Sequence, residues 1–218
     1  MDDLSTKQQV QVGPRRLGGV LRLPDDPIGL VIFAHGAGSS RLSPRNNHVA
    51  AALGQRRIAT LLFDLLTEEE ALDRRNVFDI PLLGQRLIEA VEWTRAQRDL
   101  AGLPVALFGS STGAAAALVA AAESPDRFAA VVSRGGRPDL AGAALTEVRA
   151  PVLMIVGGDD GAVIDLNRNA AKLLSCPQRT EIVPGATHLF EEPGTLDRVI
   201  VLAGDWFETH FSSRGGQP

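Results

Sequence analysis

The sequence has no tyrosine, one cysteine, two methionines and two tryptophans. With Cys176 alone, no internal disulfide can form, and a reducing cytoplasm is the expected location. No apolar stretch approaches the ~20 residues that a membrane-spanning helix needs. Basic charge is not in excess: 22 Lys+Arg stand against 26 Asp+Glu, a formal net charge of −4. That balance, with no long basic run, argues against nucleic acid as a partner. The start, Met1-Asp2-Asp3-Leu4-Ser5, is acidic and polar and lacks the cationic n-region of a secretory signal. Internal repeats and linker-like stretches are also missing.

What is present suits one globular domain. The chain has 218 residues, 44% hydrophobic and 22% charged, enough to bury a substantial core. Residues 1–9 are polar and are expected to be flexible, as are residues 212–218, leaving a single domain over residues 10–211. Residues 10–12 and 18–23 suggest an opening hairpin. Residues 29–34 (GLVIFA) form a continuous apolar run, the pattern of a strand buried on both faces. Ser43-Pro44 is a helix start, with proline near the first helical position, and that helix should run to about Arg57. Further strands are expected at 58–63, 105–108, 128–132, 152–156 and 179–183. Helices are expected at 80–98, after Ser111, at 165–174 and at 195–211. Strands alternating with helices imply a mostly parallel sheet covered on both faces, with active groups at the carboxyl ends of its strands. Two insertions, 65–76 and 134–147, are too short for a large lid. Cys176 beside Pro177 has the character of a small packing residue.

One motif concentrates the chemistry. Gly109-Ser110-Ser111-Thr112-Gly113 lies between the apolar run 104–108 and the alanine-rich run 114–122. G-x-S-x-G on a strand-to-helix turn exposes a serine hydroxyl beside the free N–H groups of a helix N-terminus. Flanking glycines let the turn close, because a Cβ at either position would crowd the neighbouring strand and helix. Ser111 is the candidate nucleophile. Three further motifs follow strand ends: HGAGSS from His35, GGDD from Gly157 and GATH from Gly185.

In this order and spacing, the four motifs resemble those of the α/β-hydrolase superfamily, and within it the small dienelactone-hydrolase-like group. The resemblance covers about residues 18–211. A nearer likeness is to bacterial hydrolase domains sometimes fused behind a phosphoribosyltransferase domain, carried by RLSPRN from Arg41 and RGGRPD from Arg134. No phosphoribosyltransferase domain lies within these residues. True dienelactone hydrolases use a cysteine nucleophile where this chain has Ser111, so a serine ester hydrolase is the better expectation. The resemblance implies an α/β-hydrolase fold in minimal form, needing no metal and no organic cofactor.

A serine needs a base, an orienting carboxylate and an oxyanion hole. The family order is Ser, then Asp or Glu, then His. His188, past the last expected strand, is the candidate base; His48 and His210 fall in helices. The acid should follow strand 152–156, where Asp159 and Asp160 compete. Asp160 fits the usual spacing, and the other aspartate would then be a turn residue. Glu191 and Glu192 are expected to be solvated. For the oxyanion hole, the Thr112 N–H and the Ala37 N–H are the candidate donors. His35 is expected to brace its loop rather than touch substrate. A dinucleotide fingerprint is excluded, because Arg41 stands where the third glycine should be.

Arg41, Arg45, Arg134 and Arg137 all follow strand ends on the active-site side. Their planar forks suit a carboxylate or phosphate on a substrate. The alternative is pairing with local acids such as Asp64 and Asp139. The expected activity is hydrolysis of a small carboxylic ester or thioester, the partner being a small molecule that carries an anionic group if the arginines serve it. The competing expectation is a catalytically weak domain of the same fold that binds a partner or small ligand.

Overall fold

A computed structural model describes residues 6–214. It begins with an antiparallel hairpin, β1 (Thr6–Val12) and β2 (Leu17–Leu23). There follow β3 (Gly29–Ala34), α1 (Pro44–Gln55), β4 (Ile58–Phe63), two short helices α2 (Glu68–Leu72) and α3 (Arg74–Val77), and α4 (Ile80–Arg95). The second half holds β5 (Val105–Ser110), α5 (Thr112–Glu123), β6 (Phe128–Arg134), a 3-10 helix (Pro138–Glu147), β7 (Val152–Gly157), α6 (Gly161–Ala171), β8 (Gln178–Val183) and α7 (Thr195–Arg214).

The eight strands form one sheet in the order β1-β2-β4-β3-β5-β6-β7-β8. β2 pairs antiparallel with β1 and β4; every other pairing is parallel. Side chains alternate across each strand, so the apolar runs serve two cores at once. Along β3, Leu30, Ile32 and Ala34 pack with α4 and α5, whereas Val31 and Phe33 pack with α1 and α7. Helices therefore cover both faces. The alanines of α5 keep that helix close to the sheet: all of residues 112–121 are buried.

Local signals account for several element ends. Ser43 caps α1, its hydroxyl accepting the Asn46 N–H at 3.3 Å, with Pro44 in the first turn. Thr67 and Glu70 form a reciprocal capping box on α2.

Several boundaries differ from expectation, among them the ends of α4 at Arg95 and of α6 at Ala171, each three residues early. β1 starts at Thr6, not Val10, and pairs along its whole length with β2. It is an edge strand with mostly exposed side chains, so its polar residues 6–9 satisfy backbone pairing without apolar character. α6 starts at Gly161, directly after Asp160, four residues earlier than expected. α7 continues through residues 212–214, where a flexible tail is expected; residues 1–5 and 215–218 lie outside the described part. The insertion at 65–76 is folded into α2 and α3, and the stretch after β6 into the 3-10 helix, which kinks at Gly142 (φ 54°). Neither forms a large lid. No helix among the described residues is long and apolar enough to cross a membrane.

Candidate active site

Parallel strands β3, β5, β6, β7 and β8 all end at one edge of the sheet, and their following loops converge there. Ser111 sits between β5 and α5 with φ 51° and ψ −122°. A non-glycine residue with such angles costs on the order of 1–3 kcal/mol and persists only where its surroundings hold it. Here the Ser111 N–H donates to Arg134 O (3.3 Å), and Ser111 O accepts from Ala114 (3.1 Å) and Arg137 (3.1 Å). The glycines on either side are required by close approach. A Cβ on Gly109 would fall 2.4 Å from Ala114 Cα, and one on Gly113 would fall 2.2 Å from Ala34 O.

His188 and Asp160 come together from different loops. His188 Nδ1 lies 2.7 Å from Asp160 Oδ2, with the histidine side chain 37% and the aspartate 15% exposed. Nδ1 must carry the proton of this bond, which leaves Nε2 as the basic atom. Asp159 takes the other course: it is exposed, and its N–H donates to Ala186 O at 2.9 Å. Gly157 permits the approach of the two loops, since a Cβ there would lie 2.3 Å from Ala186 O.

Glu192 corrects one expectation. It is not simply solvated: Oε1 accepts from the Thr187 hydroxyl (2.6 Å) and Oε2 from the Thr187 N–H (3.1 Å). The Thr187 hydroxyl is the main reason its carboxyl is held below the usual range. Glu192 thus ties down the residue preceding His188. Its neighbour Glu191 is more exposed and pairs with Arg45 at 2.5 Å.

The loop after β3 lies against the serine. A Cβ on Gly36 would stand 3.1 Å from Ser111 Cβ. The Ala37 N–H donates to Thr112 Oγ1 at 2.8 Å. His35 bridges this loop to the next one: Nε2 accepts the Leu65 N–H at 3.2 Å, so Nδ1 carries the proton toward Gly36 O at 3.0 Å. Burial holds its pKa below the ordinary value of 6.5, consistent with a neutral ring. The other histidines stand apart. His48 lies 3.7 Å from Asp197, and His210 stacks edge-on against Trp206 at 4.5 Å. Among the described residues, no group of three or more His, Cys, Asp or Glu side chains could hold a metal ion. Cys176 is half-buried against the core.

Ser111 and His188 line one cavity of about 320 Å³, together with the loop from Gly36 to Ser39, Arg45, Asn46 and Arg134. On the other side of the same loop lies a second cavity of about 310 Å³, with Leu65, Leu66, Ala71, Val77 and Leu83 in its wall. The four arginines separate. Arg41 is paired with Asp64, and Arg137 with Asp139 at 2.8 Å; neither lines the serine cavity. Arg45 and Arg134 do.

With this geometry in place, comparison with known proteins is informative. The family model for an alpha/beta hydrolase domain matches residues 27–198. A protein of Mycobacterium tuberculosis strain H37Rv, provisionally named a phosphoribosyl transferase, is 56% identical over 207 residues. The match covers 95% of this chain but 47% of that protein, so the chain spans about half the length of this curated relative. A crystal structure of dienelactone hydrolase from Anabaena variabilis superposes with a TM-score of 0.91 at 51% identity, covering 95% of this chain and 99% of that one. Est1E from Butyrivibrio proteoclasticus shares the fold alone: TM-score 0.78, 15% identity, 94% and 99% coverage. The family match, the sheet order and the strand-to-helix turn at Ser111 agree, and the chain belongs to the α/β-hydrolase family.

Proposed function

We propose that the protein is a serine hydrolase that cleaves small carboxylic esters or thioesters through an acyl-enzyme. The observation that carries this reading is the 2.7 Å His188–Asp160 contact beside a cavity that His188 shares with the strained Ser111.

The chemistry follows from those positions. His188 Nε2 takes the proton of the Ser111 hydroxyl as Oγ attacks the ester carbonyl. Asp160 holds the ring with Nδ1 protonated and stabilises the imidazolium that forms. The carbonyl oxygen becomes an oxyanion. It is received by the Thr112 N–H, the first of α5, which no intrahelical acceptor can use, and by the Ala37 N–H. His188 then returns the proton to the departing alkoxide or thiolate, leaving Ser111 acylated. A water that loses its proton to His188 opens the acyl-enzyme, and collapse of the second oxyanion releases the acid as His188 returns that proton to the departing Ser111 Oγ. Two modest cavities on either side of the loop at Ala37 suit small acyl and alcohol parts rather than long lipids. The relative from Mycobacterium tuberculosis is named a phosphoribosyl transferase, but this chain matches 47% of it. The residues gathered at Ser111 supply acyl-transfer chemistry.

The test is hydrolysis of para-nitrophenyl esters of increasing acyl length by wild type and Ser111→Ala. Activity that falls with acyl length and disappears in the variant supports the proposal. Equal activity in both proteins removes Ser111 from the mechanism. A wild type inactive on every ester and every matched thioester favours a binding domain instead.

A further inference from the structure

The wall of the cavity holding Ser111 contains one cation, Arg134, that no carboxylate among the described residues pairs with. Arg134, the last residue of β6, lines it and is only 7% exposed. Nη2 donates to Asn46 Oδ1 at 3.3 Å, and the Phe190 ring centroid lies 5.9 Å from Cζ. Nε and Nη1 have no hydrogen-bond partner. Among the described residues, no carboxylate forms an ion pair with Arg134, whereas buried Arg86 is paired with Glu70 and Glu89. The Asn46 oxygen that meets Arg134 also accepts from the Ser110 hydroxyl at 3.5 Å, so the surrounding network is neutral. The other charge in the wall is Arg45, of the same sign and paired with the exposed Glu191. Burial, and then Arg45, push the Arg134 guanidinium down to about 10, which still leaves it cationic at neutral pH.

A guanidinium withdrawn from water is costly unless something pairs with it. In this fold the protein supplies hydrogen bonds and a ring face but no anion. The missing partner is therefore sought in the cavity itself, where the chain has left room beside the nucleophile. Arg41 and Arg137 cannot serve, because neither lines the cavity and each is paired with an acid of its own, Asp64 and Asp139.

We infer that this cavity is an anion subsite: the substrate opened at Ser111 carries a carboxylate or phosphate group that Arg134 neutralises from the wall, with a lesser share from Arg45, whose exposed pair with Glu191 a bound anion can compete for. The inference deepens the serine-hydrolase proposal by naming the substrate class. Removal of the anion from water is offset by a cation already desolvated, so the gain should exceed that of a surface arginine.

Binding can be read without turnover. Glutarate and inorganic phosphate are titrated separately into the Ser111→Ala protein by calorimetry, with chloride as control. At least one should bind, and adding Arg134→Gln should weaken it by about tenfold or more. Glutarate binding alone assigns a carboxylate; phosphate binding alone assigns a phosphate. Adding Arg137→Ala should leave the affinity within about twofold, as its fork is spent on Asp139. Neither anion binding, or binding unchanged in Arg134→Gln, overturns the inference. If Arg134→Gln does not fold, Arg45→Gln on the partly exposed side replaces it, with a loss of about threefold expected; unchanged affinity there overturns the inference. A turnover arm uses the ratio of kcat/KM for a carboxylate-ended and a neutral para-nitrophenyl ester of equal length. Taking the ratio cancels any loss common to both. Anion binding in a protein that hydrolyses no ester would sink the hydrolase proposal and leave the subsite standing.

Discussion

The Ala37 amide donates to the Thr112 hydroxyl at 2.8 Å, across 75 positions of sequence. In the proposed mechanism the backbone N–H groups of both residues receive the oxyanion, so this bond engages one of the two proposed donors. It also anchors the glycine-rich loop against the start of α5. The proposed mechanism requires the Ala37 N–H to turn its bond to the substrate carbonyl oxygen, which leaves the Thr112 O–H able to donate to the same oxygen.

This anchoring role predicts the behaviour of Thr112 variants. Thr112→Val keeps the shape and removes the hydroxyl, and should lower kcat about tenfold. That is less than the ~100- to 1,000-fold typical of deleting an oxyanion donor, because the backbone donors remain. Thr112→Ser should keep most of the activity. A Thr112→Val enzyme faster than wild type would show that the hydroxyl obstructs the site.

Asp159 and Asp160 are adjacent in sequence and opposite in situation. Asp160→Asn removes the acceptor that keeps His188 protonated at Nδ1, and kcat should fall by about 1,000- to 10,000-fold. Asp159→Asn should stay within about threefold, since Asp159 is exposed and its backbone N–H, bonded to Ala186 O, is unchanged by the substitution. Steady-state ester hydrolysis compares the two. A larger loss at Asp159 would reassign the acid.

His35 links stability to pH. Its folded pKa is lowered below 6.5, chiefly by burial. The unfolded chain then binds the proton more readily, so the contribution is complete above pH 6.5 and is lost as pH falls through the folded value. Urea midpoints at about pH 7.5 and about pH 5.5 measure this. The wild type should lose stability on acidification, and His35→Gln, which can still accept the Leu65 N–H, should lose less. His210 is lowered by burial with the same sign and remains in both proteins, so the difference isolates His35. Equal losses would contradict a buried neutral ring.

Gly113 should tolerate no side chain. A Cβ would stand 2.2 Å from Ala34 O and 2.5 Å from His35 O, both backbone atoms that cannot swing aside. Gly113→Ala should destabilise by about 3 kcal/mol or more, read from chemical unfolding. A change within about 0.5 kcal/mol would mean the turn can open.

Much of this architecture was legible because buried parallel strands read as unbroken apolar runs, as in residues 29–34 and 58–63, where every residue is buried. The turn at Ser111 was legible because only glycine fits at Gly109 and Gly113. Less could be read where polarity hides structure. β1 carries Lys7, Gln8 and Gln9 on an exposed edge, and no local signal separates it from a loop. α6 opens with Gly161 and Ala162 behind Asp160, whose side chain meets His188 instead of capping the helix, so the apolar pattern alone puts the start too late. The four arginines look alike in sequence; burial without a counter-ion sets Arg134 apart, and that is a property of the packed fold. The tie from Glu192 to Thr187 spans a five-residue gap with no characteristic pattern.

Ser111, as the proposed activated nucleophile, should be trapped by a fluorophosphonate, read by intact mass with peptide mapping of the adduct. A single adduct is expected on Ser111, absent from Ser111→Ala and formed far more slowly in His188→Ala. A wild type that stays unlabelled, or that carries its label on another residue, would contradict this role.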